Sequence, residues 1–355
     1  MNRVLMLIMA AGAIGGGIDS IRGNRRGYGA RFEEGFLLLG PTALSMAGMI
    51  CLAPVLADIL GSFVVPLYRK IGVDPAMFGS VLAIDMGGYQ LAKELASDAG
   101  IGRYGGIVAA AIFGCTIVFT IPVGMGIVRK EEQQFFAKGM MYGLVTMPVG
   151  LMTGGMLAGI SPGVCAHQNL PTFLLAALLL AGLWKNQEKM VRGFCVFAKA
   201  IDIVIKTGLI LAVTEYMCGF NPIKGMAPVK EAMEVVTSIG IVMLGSLPAA
   251  EFLKRRLQKP FTRLGGRLSM KPESMAGLLV GSVSVIPALS MYSDMDEKGK
   301  VANAAFLVSA ASLLAAHMGF TISMEPELLG ALIGGKLSGG IAAFALVIFL
   351  YRKGR

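Results

Sequence analysis

"VLAIDMGGYQLAKEL", residues 81–95, sets an aspartate, two glycines and a Lys-Glu pair inside an apolar stretch. In a soluble protein these polar groups would face water. The rest of the chain removes that reading. It has 355 residues, 55% hydrophobic and 15% charged, with mean hydropathy +0.69. Soluble domains carry about 25% charged residues. Apolar runs of about 20 residues recur from end to end, the pattern of an all-α polytopic membrane protein. The net charge of +10 does not point to nucleic acid, because the basic residues lie mainly between apolar runs, as in cytoplasmic loops facing a lipid bilayer.

Eleven apolar segments fall near 4–21, 36–61, 75–95, 103–128, 138–160, 168–185, 191–217, 232–253, 273–292, 300–322 and 327–351. The first reads as a retained helix with its N-terminus outside, since one basic residue precedes it and Arg22, Arg25, Arg26 and Arg31 follow. Eleven crossings would divide the lysines and arginines of alternating loops 16 to 12, too even to orient a protein. Treating 75–95 and 273–292 as segments that enter and return on one face leaves nine crossings. The division becomes 22 inside to 6 outside, with the C-terminus inside.

Segment lengths agree with this topology. Pro75 to Asp85 and Pro272 to Ser282 each span ten residues, about 15 Å as helix and half of a ~30 Å hydrocarbon core. The expected architecture is therefore about nine transmembrane helices plus two re-entrant helical hairpins, tipped by "DMGGY" and "SVSVIP". Glycine and proline suit such reversals. A broken helix inside a membrane is tolerated where it is buried in protein or faces water.

A single transport domain, 1–355, holds a weak repeat of 36–128 in 232–325. Pro54 and Pro66 match Pro248 and Pro260, Pro75 matches Pro272, Ser97-Asp98 matches Ser293-Asp294, and Phe119-Thr120-Ile121 matches Phe320-Thr321-Ile322. The halves would run in opposite directions, a design of secondary transporters whose broken helices meet at the substrate site.

Asp85, Gln90 and Glu94 become candidates to bind substrate, since a charge at the bilayer centre costs roughly 2.5–3.5 kcal/mol on insertion scales. Glu94 reads equally well as a solvated residue near the hairpin's surface end. His317 and its repeat counterpart Thr116, with Ser282 and Ser284 at the second tip, complete the set. Lys336, among glycines in the last helix, is expected to pair with a carboxylate or backbone carbonyls. Lys199, Asp202 and Lys206 share one helix face and read as a structural pair. Gly150/Gly154 and Gly330/Gly334 have the spacing of close helix contacts.

Other chemistries lose support. The G-x-G-x-x-G at 100–105 joins helical segments without a strand, and Ser161 in G-I-S-P-G is the one weak lead to an intramembrane hydrolase. Five scattered cysteines form no C-x-x-C pair, and neither Walker A nor H-E-x-x-H occurs. No metal or cofactor is called for, and the chain does not read as an enzyme.

"FEEGFLLLGPTALSMAGM" (32–49), "DMGGYQLAKEL" (85–95), "CTIVFTIPVG" (115–124), "SDMDEKGKVANAAFLVSAA" (293–311) and "HMGFTIS…IGGKLSGGI" (317–341) resemble the bacterial ethanolamine-utilisation permease family. The resemblance covers most of the chain. It implies uptake of ethanolamine across the bacterial inner membrane, supplying a cytoplasmic cobalamin-dependent ethanolamine ammonia lyase, and leaves a homo-oligomer open. The alternative is an inverted-repeat carrier for another small amine or polar metabolite.

The nine-crossing topology puts positions 70 and 103 on the same outer face. Single cysteines there should both react with an impermeant thiol reagent in intact cells. Labelling at only one of the two would restore eleven crossings.

Overall fold

The computed structural model describes residues 2–81, 88–220 and 222–353. All regular structure among them is helical. The chain runs through α1 (Asn2–Ile21), α2 (Tyr28–Leu37), α3 (Leu39–Lys70) and α4 (Gly88–Leu95). It continues with α5 (Ala99–Tyr104), α6 (Ile121–Ile127), α7 (Gln133–Leu157) and α8 (Pro162–Gln168). Then come α9 (Leu170–Lys185), α10 (Gln187–Cys218), α11 (Val229–Arg267) and α12 (Pro272–Val283). The last four are α13 (Val285–Ser290), α14 (Glu297–Ala310), α15 (Met318–Met324) and α16 (Leu329–Lys353).

Among the described residues, six helical stretches are long and apolar enough to cross a membrane. The count is seven if α8 and α9, bent by 53° at Asn169, form one span. The molecule is a polytopic membrane protein. Leu67, Phe63 and Ile59 on α3 are exposed at four-residue spacing, a stripe suited to lipid. Exposed Trp184 beside Lys185 fits the water–lipid boundary.

The most buried stretch is the continuous pass Ala99–Ile127. All ten residues from Gly105 to Gly114 are buried, and the helix there is widened to π geometry. A second π segment covers Thr116–Thr120, and a third, Leu313–His317, interrupts the pass Glu297–Met324 between α14 and α15. The π turn is rare and recurs at functional sites.

Each of the two anomalous segments is closed at its feet by an aspartate. The Asp74 carboxylate accepts the backbone N–H groups of Ala76, Ser97 and Asp98 at 2.9, 3.2 and 2.8 Å. Chain leaving at Pro75 therefore returns to the same place by Ser97. The Asp296 carboxylate accepts Lys271 N–H (2.9 Å), Ser274 Oγ–H (2.6 Å) and Gly299 N–H (3.2 Å), closing 272–295 in the same way. The two pairs of feet lie at opposite ends of the Ala99–Ile127 pass. The first sits at its start. At its finish Glu132 accepts Lys300 Nζ and Ser293 Oγ, each at 2.7 Å, beside the feet of the second.

Two expectations need correction. The arm 75–85 is not an α-helix over its described part: Pro75–Phe78 is a 3₁₀ turn capped by Asp74, and Gly79–Val81 continue in turns. Gly79 lets the arms meet closely, because a Cβ there would lie 2.7 Å from Ala92 on the returning arm. Residues 254–267 are not loop but the last turns of α11. Glu251 pairs with Lys254 (2.5 Å) and Arg255 (2.7 Å) three and four residues on, which carries the helix past the apolar run. Gly150 and Gly154 on α7 make close helix contacts with Gly335 and Gly339: a Cβ on Gly150 would lie 2.7 Å from Gly335 O, and one on Gly339 3.2 Å from Gly150 Cα. Gly334 faces the Leu157 side chain.

Replacing Asp74 with alanine leaves three N–H groups unpaired at the first pair of feet and should cost about 2–4 kcal/mol. The check is the thermal midpoint in detergent. Ser97→Ala, which keeps its backbone N–H, should leave that midpoint within a degree or two of wild type.

Candidate functional site

The second break in the fold forms the floor of a cavity of about 330 Å³. Between α12 and α13 the chain is extended at Ser284 (φ −153°, ψ 137°). Twelve residues of helix from Pro272 set Ser284 about 18 Å from the foot of the hairpin. Opposite it, α14 ends and Ser312 adopts φ 52°, a left-handed conformation that non-glycine residues take only when surroundings compel it. Here the compulsion is visible: Ser312 N–H donates to Gly281 O at 3.0 Å, tying the hairpin tip to the broken pass.

Ser284, Ser312, Ala315 and Ala316 line the deep end of this cavity, with Phe119 and apolar side chains of α11 as walls. Its rim is charged, formed by Arg31, Glu34, Glu251 and Lys254. Arg31 bonds Glu34 at 2.5 Å and lies 3.6 Å from Glu251. The acids at the rim are thus held by cations of the protein itself.

Behind the floor lies a fully buried polar layer. Lys336, with none of its surface exposed, donates from Nζ to Ala111 O at 2.6 Å. Thr116 Oγ1 lies 2.9 Å from Ile112 O and 2.7 Å from Val308 O, linking the first π region to the last turn of α14. His317 Nδ1 lies 3.1 Å from Ala311 O. The side chains converge on carbonyls in and beside the π turns and the break. Two further hydroxyls in this region, Thr120 Oγ1 and Ser309 Oγ, are buried with no hydrogen-bond partner among the described residues. Together they offer acceptors for N–H and O–H groups in a space screened from lipid.

The structure gathers some of the residues nominated from sequence and separates others. Ser284 lines the cavity; Ser282 is buried beside it and donates to Leu279 O at 2.7 Å. Thr116, His317 and Lys336 belong to the buried layer. Gln90 is half-buried on α4, and Glu94 is exposed near the foot of the first hairpin, as its solvated reading requires. Asp85 lies outside the described residues. The Lys206–Asp202 pair (2.7 Å) is exposed on α10, away from the cavity. Ser312, Ser309, Thr120 and the Glu251 cluster were not foreseen. "AAEFLKRRL" (249–257) reads as a helix end running into a basic loop, and nothing in "SAAS" (309–312) announces a left-handed serine.

A second cluster lies where the Ala99–Ile127 pass begins. Tyr89 of α4 donates its hydroxyl to Glu325 Oε1 at 2.6 Å and stacks edge-on against Phe320 at 5.8 Å. Arg103 bridges Glu327 (2.8 Å) and Glu325 (3.6 Å). These contacts join the first hairpin, the end of α5 and the residues after α15 into one plug.

Comparison with known proteins accords with this architecture. The family described as "Ethanolamine utilisation protein, EutH" matches residues 1–350. The "Probable ethanolamine permease EutH" of Listeria monocytogenes serotype 1/2a (strain 10403S) is 41% identical over 354 residues, covering 99% of this chain and 95% of that protein. "Uncharacterized protein YxeR" of Bacillus subtilis (strain 168) is 40% identical, with 99% and 95% covered. The "Probable ethanolamine permease EutH" of Escherichia coli (strain K12) is 38% identical, with 92% and 86% covered. No solved structure matches the chain. Similarity at this level along the whole length settles descent: the chain belongs to the ethanolamine utilisation protein EutH family.

Proposed function

We propose that this protein carries ethanolamine across the bacterial inner membrane, using the two broken passes and two hairpins as its substrate path. The observation that carries the reading is the polar layer of Lys336, Thr116, His317 and free buried hydroxyls under a cavity floored by Ser284 and Ser312. The relatives' printed names supply the substrate. Ethanolamine is a small cation with one hydroxyl. Serine and threonine hydroxyls and backbone carbonyls suit its N–H and O–H donors, and a carboxylate suits its charge.

In this reading the chain makes nine crossings, with the N-terminus outside and the C-terminus inside, and its halves are inverted repeats. Support comes from the two aspartate-closed hairpins at opposite ends of one pass. The capping pair Asp98 and Asp296 starts the two passes that carry the π turns. The plug of Tyr89, Arg103 and Glu325 is the outer gate, closed, while the cavity rim of Glu34 and Glu251 faces inward. Released ethanolamine then enters the cytoplasm, where an ammonia lyase consumes it.

Asp85 is assigned to the substrate ammonium, with Gln90, Ser282 and Ser284 flanking the path. Its candidacy rests on its place in the sequence, ten residues beyond Pro75 and beside Gly87 and Gly88. Four heavy atoms limit binding to about −6 kcal/mol, or tens of micromolar. Uniport suffices for accumulation, because ~100 mV inside-negative is worth about 2.3 kcal/mol per charge, roughly fiftyfold.

Two measurements test this. Proteoliposomes should take up labelled ethanolamine, accelerated by an imposed inside-negative potential and competed by unlabelled ethanolamine more strongly than by choline, serinol or amino acids. Stronger competition by another amine would move the substrate to that amine. Asp85→Asn should reduce uptake at least tenfold in folded protein, and combining it with Lys336→Met should not restore it. Restored uptake in the double variant would make the aspartate a structural counter-charge to the lysine.

A further inference from the structure

We infer a second binding site, separate from the transport path, for an anionic phospholipid in the groove between α1 and α11. The groove has a volume of about 660 Å³ and two chemically distinct parts. Its long part is apolar, lined by Ile8, Ala11 and Ile18 on α1 and by Pro248, Ala249 and Phe252 on α11. Its end is cationic, formed by Arg22, Arg25 and Arg26 in the turn after α1.

Glycines shape the apolar part. The helices touch through Gly12 and Gly16: a Cβ on Gly12 would lie 2.3 Å from Gly245 O, and one on Gly16 2.8 Å from Pro248 Cγ. Gly15 also lines the groove, but a Cβ there would meet nothing within 4 Å. The absent side chain leaves an open channel beside a closed helix contact. Leu7, Ile8, Ile14 and Ile18 of α1 are exposed, so the groove opens toward lipid rather than water.

Charge favours an anion at the end. The one acid there, Asp19, is committed to the turn: it accepts N–H groups of Arg26 (3.0 Å), Tyr28 (2.9 Å) and Gly29 (3.0 Å). Arg255, close by, is likewise engaged, donating Nε–H to Glu251 and NH1 to Arg26 O (both 2.7 Å) while lying 4.6 Å from the Tyr28 ring centre. The side chains of Arg22, Arg25 and Arg26 are exposed. Guanidinium groups bind phosphate oxygens with directional hydrogen bonds, and basic pockets between membrane helices select anionic headgroups. A free phosphate would use the arginines alone. A phospholipid uses both parts, with an acyl chain along Gly15 and the phosphate on the arginines.

The test is lipid retention by the full-length protein, delipidated in neutral detergent and read by native mass spectrometry. Phosphatidylglycerol should bind with markedly higher occupancy than phosphatidylcholine at equal concentration. The double change Arg22→Gln with Arg25→Gln should weaken it about twenty-five-fold, roughly fivefold per arginine near a membrane surface. Gly15→Leu should abolish retention with all three arginines present and, having space for its side chain, should leave the thermal midpoint unchanged. Equal retention of the two lipids, unaltered binding in either variant, or displacement by soluble glycerol phosphate would overturn the assignment.

Discussion

Backbone groups released from helical pairing inside a membrane must find partners within the protein, and the interior of this molecule is arranged around that requirement. Lys336 reaches Ala111 O, Thr116 reaches Ile112 O and Val308 O, His317 lies on Ala311 O, and Ser312 N–H reaches Gly281 O. The Lys336–Ala111, Thr116–Val308 and Ser312–Gly281 contacts also join elements distant in sequence. The groups that satisfy the broken helices thereby fix the hairpin tip, the two central passes and α16 against one another. Glycine pairs between α7 and α16 bring that helix close enough for Lys336 to reach inward.

A second consequence concerns the two faces. Charged contacts sit at both ends of the central passes: Arg103 with Glu325 and Glu327 at one, Lys300 with Glu132 at the other. The Lys300–Glu132 pair is largely shielded from solvent, while Arg103 and Glu327 are more exposed. Exposed pairs contribute little to stability, so the Arg103 contact can break at low cost. That asymmetry suits the proposed carrier, in which the Arg103 plug would open readily while the Lys300–Glu132 tie anchors the second hairpin.

The break in residues 272–295 was legible in the sequence, because a Gly/Pro break inside an apolar run has few physical solutions in a membrane. The same logic read Lys336 as buried with a carboxylate or carbonyl partner, and left Glu94 between a substrate role and a solvated one. What escaped the sequence depends on side-chain geometry rather than composition. The extension of α11 through "LKRRLQK" looks like a basic loop until Glu251 is seen bonding Lys254 and Arg255 along one helix face. Ser312 has no local signal for its left-handed backbone, which Gly281 O imposes from another element. The 3₁₀ start of the first hairpin follows from Asp74 capping Ala76, a contact that period and hydropathy do not encode.

The central claim is that the cavity at Ser284 lies on the path of ethanolamine. Ser284→Cys in a variant lacking the native cysteines provides a direct probe of it, using the rate of modification by a small water-soluble thiol reagent. The account predicts that saturating ethanolamine slows this reaction several-fold, while an equal concentration of a neutral diol does not. A modification rate indifferent to ethanolamine would contradict it.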